Sequence, residues 1–122
     1  MTSVAKAKLC VALVALPWLV GFVQCTKAPV AALSVPAERG RITFATFCFP
    51  CHNPSNPHRN GQLGPAVARS SKELLEAKVL SGTYPPGYQP KQAGAQMAAL
   101  PHVKAHLGDI EAFLAEVPEP KD

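Results

Sequence analysis

The sequence predicts a small all-α domain, and three observations carry that prediction. Val103, Leu107, Ile110, Leu114 and Val117 recur at the three-and-four spacing of one helix face. A second apolar repeat, Leu74, Leu75, Val79 and Leu80, follows a capping-box pair at Ser70 and Glu73. No stretch of the 122 residues alternates apolar and polar side chains as a half-buried strand would, and none repeats internally.

The first third has a different composition from the rest. Lys6 and Lys8 precede an apolar run of 15 residues, Leu9 to Val23, which suits a signal peptide and is short for a membrane span of about 20 residues. Small residues at Val30, Ala31 and Ala32 place cleavage after Ala32, so residues 1–32 form the leader and 33–122 the mature domain. Two alternatives remain open: lipidation at Cys25, with the bulky Gln24 before it, and retention of the leader as an anchor. Each of the three puts the domain on the exported, periplasmic side of a membrane. Lys6, Lys8 and Lys27 leave with a cleaved leader, and the formal charge falls from +4 to +1. No basic stripe interleaved with aromatics remains, which excludes nucleic acid as a partner.

Within the mature part, Ser34 stands ready to cap a helix from Pro36 to about Cys48. Glu38 lies in its first turn, and Gly40, Phe44 and Phe47 fall at helical spacing. Pro50, without an amide hydrogen, marks the helix end or a tight turn. From Asn53 to Gly64 the Asn, Pro, Ser and Gly content predicts a loop. The Leu74 to Leu80 helix runs until Gly82 stops it. Three prolines and a glycine between Tyr84 and Pro90 exclude regular structure. Pro101 opens the last helix, Pro118 follows it, and Gly108 weakens it slightly.

The chemistry concentrates in Cys48, Phe49, Pro50, Cys51 and His52. Two thiols three apart, followed at once by an imidazole, form the attachment signature of a c-type haem. Both thiols reach the vinyl edge of one porphyrin as thioethers, and the imidazole stands over the iron. A mature domain of 90 residues is small enough to need such a staple. Cys10 and Cys25 leave with a cleaved leader, so no disulfide framework competes for Cys48 and Cys51.

These five residues resemble the haem-binding box of the class I cytochrome c family, and the resemblance extends over nearly all of 33–122. It implies an all-α haem domain in which Gly40 and Phe44 on the first helix pack against Phe113 on the last. It further implies that His52 is the proximal iron ligand and that the Pro65 carbonyl, after Gly64, accepts a hydrogen bond from the other ring nitrogen. Met97, the one methionine of the mature part, lies 45 residues after His52, where the family's axial methionine falls. Met/His ligation raises the reduction potential. His58, His102 and His106 are the alternative sixth ligands. Asn53 departs from the glycine common after the box, which bears on the shape of the exposed haem edge. Tyr84, Tyr88, Arg59 and Lys91 lie in loops and receive no role from the sequence.

The expectation is an exported monohaem electron carrier, not an enzyme, which meets redox proteins transiently and touches the membrane only through a retained or lipidated leader. Three rivals stand beside it. A zinc module would draw on Cys48, Cys51, His52 or His58 and the His102/His106 pair, but that pair lies some fifty residues away. A redox dithiol would need its Cys-x-x-Cys at the start of a helix after a strand. A haem-based sensor or catalytic subunit would need a weak or displaceable sixth ligand.

Overall fold

The computed structural model describes residues 32–49, 51–94 and 96–120. The leader expected over residues 1–32, with its Cys25 and anchor alternatives, lies outside the described residues except for Ala32, as do the turn assigned to Pro50 and residues 121 and 122. Among the described residues all regular structure is helical, and no helix is long and apolar enough to cross a membrane.

Ser34 starts the first helix, α1 (Val35–Phe47), by accepting a hydrogen bond on its hydroxyl from the Ala37 amide. Pro36 sits in the first turn, where its missing amide hydrogen costs nothing, and Glu38 faces the positive end of the helix dipole. The Cys48 amide closes the helix on the Phe44 carbonyl. One face, Ala37, Gly40 and Phe44, is buried, whereas Phe47 at the end of the same spacing is 43% exposed.

The second helix differs from the sequence expectation in its cap and in its form. Ser71, not Ser70, caps it, accepting from the Leu74 amide, while the Ser70 hydroxyl donates to the Val67 carbonyl at 2.6 Å. Only α2 (Lys72–Leu75) is α-helical, and the chain then widens into a π-helical turn over Glu76–Leu80. The repeat of Leu75 and Val79 survives the widening because both remain buried. Gly82, at φ +70°, ends the segment in the left-handed region that glycine favours; its amide donates to the Lys78 carbonyl and the Thr83 amide to the Ala77 carbonyl.

The last apolar stripe is divided as well. A 3₁₀ segment over Pro101–His106 leads into α3 (Leu107–Glu116). Both forms keep Val103, Leu107, Ile110 and Leu114 on one side, so apolar spacing could not tell a tight first turn from an α-helical one. Gly108 faces open space.

The core forms where α1 meets α3. Phe44 and Phe113 sit with ring centroids 5.5 Å apart and tilted by 54°, each nearly inaccessible to solvent. Burying either ring contributes about 1.5–3 kcal/mol, and the pairing about 0.5–1.5 kcal/mol more. Gly40 makes this approach possible, because a Cβ there would overlap the Asp109 carbonyl of α3. Two polar ties flank the crossing. Arg39 grips Asp109 through two bonds of 2.9 and 2.8 Å, and Ser34 donates its amide and hydroxyl to Glu116 at 2.8 and 2.7 Å. The bond from Arg39 holds the Asp109 carboxyl below its ordinary range, and the Ser34 donors do the same for Glu116.

The Pro- and Asn-rich loop is folded by its own side chains. The Asn53 side-chain oxygen accepts from the amides of Ser55 and Asn56, Asn56 from His58, and Asn60 from Ala66. Pro57 is fully buried, and its carbonyl takes the amides of Val67 and Ala68.

Gly40→Ala should lower stability by about 1–3 kcal/mol, since the added methyl meets backbone that can move only by separating the helices; thermal denaturation against the parent protein checks it. Asp109→Asn tests the ion pair through pH. A carboxyl lowered on folding stabilises above its unfolded pKa of about 4 and loses that effect as pH falls through the folded value. The variant should therefore melt below the parent at pH 7, and the gap should close in acid.

Candidate functional site

A cleft of about 520 Å³ opens beside the α1–α3 core, within the size range of cofactor sites. Its walls are mostly apolar, with Phe44, Leu75, Val79, Leu100, Ile110 and Leu114 among them. Cys48, Cys51, His52, Pro65 and Met97 line the same cleft, so residues from three separate stretches of chain meet at one place.

The end of α1 positions the first group. Cys48 is its C-cap and half-buried, Cys51 is exposed, and the two thiols are unpaired. One turn further, the His52 amide donates to the Cys48 carbonyl at 2.9 Å, which carries the helical curl through to the imidazole. His52 is the one buried polar or charged side chain among the described residues, at 8% exposure, and its ring lies 6.3 Å from that of Phe44.

The loop after the box then folds back over it. The amides of Leu63 and Gly64 both donate to the Cys51 carbonyl, and Gly61 lies so close that a Cβ would overlap the same carbonyl. A Cβ at Gly64 would stand 2.6 Å from His52 Cε1 and 2.7 Å from Nδ1, so only glycine lets the chain pass the imidazole at this distance. The next residue, Pro65, brings its carbonyl 3.0 Å from His52 Nδ1. A carbonyl can only accept, so Nδ1 donates, and in the neutral ring the lone pair is then on Nε2.

Met97 is half-buried and packs against the core. Its segment is held where the Leu100 amide donates to Val79 at 2.6 Å and where Lys91 Nζ reaches back to the Ala66 carbonyl at 3.0 Å. The second bond ties the loop that leads to Met97 to the residue after Pro65.

Burial, and secondarily the neighbouring Cys51, pushes the Cys48 thiol up to about 11. It therefore stays protonated at neutral pH. Thiol–disulfide exchange needs a thiolate, which a helix N-terminus favours; here the pair follows a helix C-terminus and no strand precedes it among the described residues. A redox dithiol does not fit this geometry.

The other histidines lie apart from the box. His58 Nε2 donates to the Val117 carbonyl at 3.0 Å, tying the loop to the end of α3. His102 packs its exposed ring edge-on to Phe47 at 5.2 Å, and His106 is exposed beside Asp109. None of the three lines the cleft. Among the described residues no three His, Cys, Asp or Glu side chains group as they would around a bare metal ion, so the zinc reading lacks its donor set.

Tyr84, Tyr88 and Lys91 line the cleft, whereas Arg59 does not. Sequence reasoning passed over Lys78, which also lines it. The signal was present: Lys78 falls four residues after Leu74 and one before Val79, a cation within an apolar face.

Gly64→Ala should cost about 1–3 kcal/mol by overpacking against the imidazole, with the loss read in thermal denaturation. No family model, curated protein or solved structure matches this chain.

Proposed function

We propose that this chain is an exported monohaem c-type cytochrome that relays one electron at a time between redox proteins. The observation that carries the reading is the meeting of Cys48, Cys51, His52 and Met97 on one apolar cleft, with the His52 tautomer fixed by Pro65. The haem supplies a reversible one-electron iron couple.

The residues suit that group. Cys48 and Cys51 are two free thiols at the cleft wall, able to hold it as thioethers. His52 would offer Nε2 as an axial ligand, and its bond to Pro65 fixes the ring orientation. Gly64 keeps the space beside the imidazole clear. Met97 offers a thioether as the second axial ligand, which favours the reduced metal and raises the potential. A bare ion would need four protein donors, whereas a metal carried in by an organic ring needs only an axial pair, so the absence of a larger donor cluster is consistent with this set.

Two protein ligands leave no open position for a substrate, which argues for a carrier over an enzyme. The leader argues for function on the exported side. A mature charge near +1 argues that partners dock weakly, without strong long-range steering.

The test is the mass and absorption of the exported protein. Expected are one covalent haem, loss of residues 1–32, and a far-red Fe(III)–sulfur band that Met97→Ala abolishes while lowering the potential. An exported form without haem mass would overturn the reading. Covalent haem with no far-red band, and carbon monoxide binding to the reduced protein, would instead support a haem-based sensor or catalytic subunit.

A further inference from the structure

The cleft carries charge of one sign only. Among the described residues its lining includes two cations, Lys78 and Lys91, and not one aspartate or glutamate. A positive potential inside mostly apolar walls, with no internal carboxylate to balance it, selects a ligand that brings its own negative charge.

Lys78 is the more committed of the two. It lies half-buried in the π-helical turn, a widening of the kind that recurs at functional sites. Its Nζ donates to the Gly82 carbonyl at 3.2 Å and sits 4.0 Å over the Tyr84 ring, which in turn stacks on Tyr88 at 5.3 Å with the planes 8° apart. A carbonyl and a ring face hold the ammonium in place while leaving its charge uncompensated and donors to spare. Lys91 is exposed and spends one donor on Ala66. The phenol oxygens of Tyr84 and Tyr88 make no hydrogen bond to the described residues and add neutral donors on the same wall.

We infer that Lys78, supported by Lys91 and the Tyr84–Tyr88 stack, forms the subsite that receives the carboxylate arms of the cleft's ligand. The inference rests on the haem reading, under which those arms are the two propionates of the porphyrin. Apolar walls take the ring, the thiols fix one edge, and the lysines take the acidic groups. Lys78 is then a positioning residue that acts on the iron through the charge of a propionate.

The test uses the exported holoprotein and the pH dependence of its midpoint potential. Among the described residues the titratable side chains lining the cleft are Cys48, Cys51, His52, Lys78, Tyr84, Tyr88 and Lys91. A propionate paired with Lys78 stays ionised from about pH 5 to 8, so the parent potential is flat in that window. In Lys78→Gln the carboxyl loses its cation and its pKa rises into the window. Deprotonation then favours Fe(III), and the potential falls as pH rises.

Lys78→Arg should restore the flat profile, which a purely structural role would not require. Lys91→Gln, at an exposed position, should give a weaker slope and serves as the readout if Lys78→Gln does not load haem. Loaded Lys78→Gln with the parental potential and profile would overturn the subsite while leaving the haem reading intact. A parent protein without covalent haem would overturn both.

Discussion

Everything in this molecule depends on how closely α1 and α3 approach at Gly40. A methyl group there would collide with the Asp109 carbonyl, so a hydrogen in that position brings the helices together and lets Phe44 meet Phe113. The position of α1 then fixes the position of its last turn. Cys48 is that helix's C-cap and His52 bonds back to it, so the geometry of the crossing is passed to the thiols and the imidazole through backbone hydrogen bonds. Arg39–Asp109 and Ser34–Glu116 close the same interface from its polar sides. Exposed ion pairs contribute little on their own, and their value here is in fixing how the helices sit.

The loop from Asn53 to Val67 does for the other side of His52 what α1 does for the near side. Its polar residues replace regular structure with side-chain-to-backbone turns, and buried Pro57 anchors it. Gly61 and Gly64 then pass the box at distances that any side chain would block. The result is an imidazole held through Nδ1 by the Pro65 carbonyl. Lys91 extends the chain of support, because its bond to Ala66 couples this loop to the one that leads to Met97.

Much of this was legible in the sequence, for reasons that can be named. Ser34, Pro36 and Glu38 specify a helix start by local chemistry alone, and the observed α1 differs from its expected span by one residue at each end. The stripe from Val103 to Leu114 and the stop at Gly82 are equally local. Where reading failed, two local solutions were nearly equal. Ser70 and Ser71 are both competent caps; Ser71 takes the Leu74 amide, and the Ser70 hydroxyl donates to the Val67 carbonyl. An α-turn, a π-turn and a 3₁₀-turn all keep Leu75, Val79 and Val103 facing inward, so apolar spacing does not separate them.

What the sequence determined by itself was the all-helical class and which residues are candidates for a site, because two thiols, an imidazole and a thioether beyond residue 32 are set by residue type and spacing. What the tertiary structure decided was which of them meet. It brought Met97 to the cleft of Cys48, Cys51 and His52, left His58, His102 and His106 outside it, and placed Lys78 in the wall of that cleft. Contacts between residues 45 apart depend on how loops close and helices cross, and those are settled by packing across the whole domain rather than by any local stretch of chain.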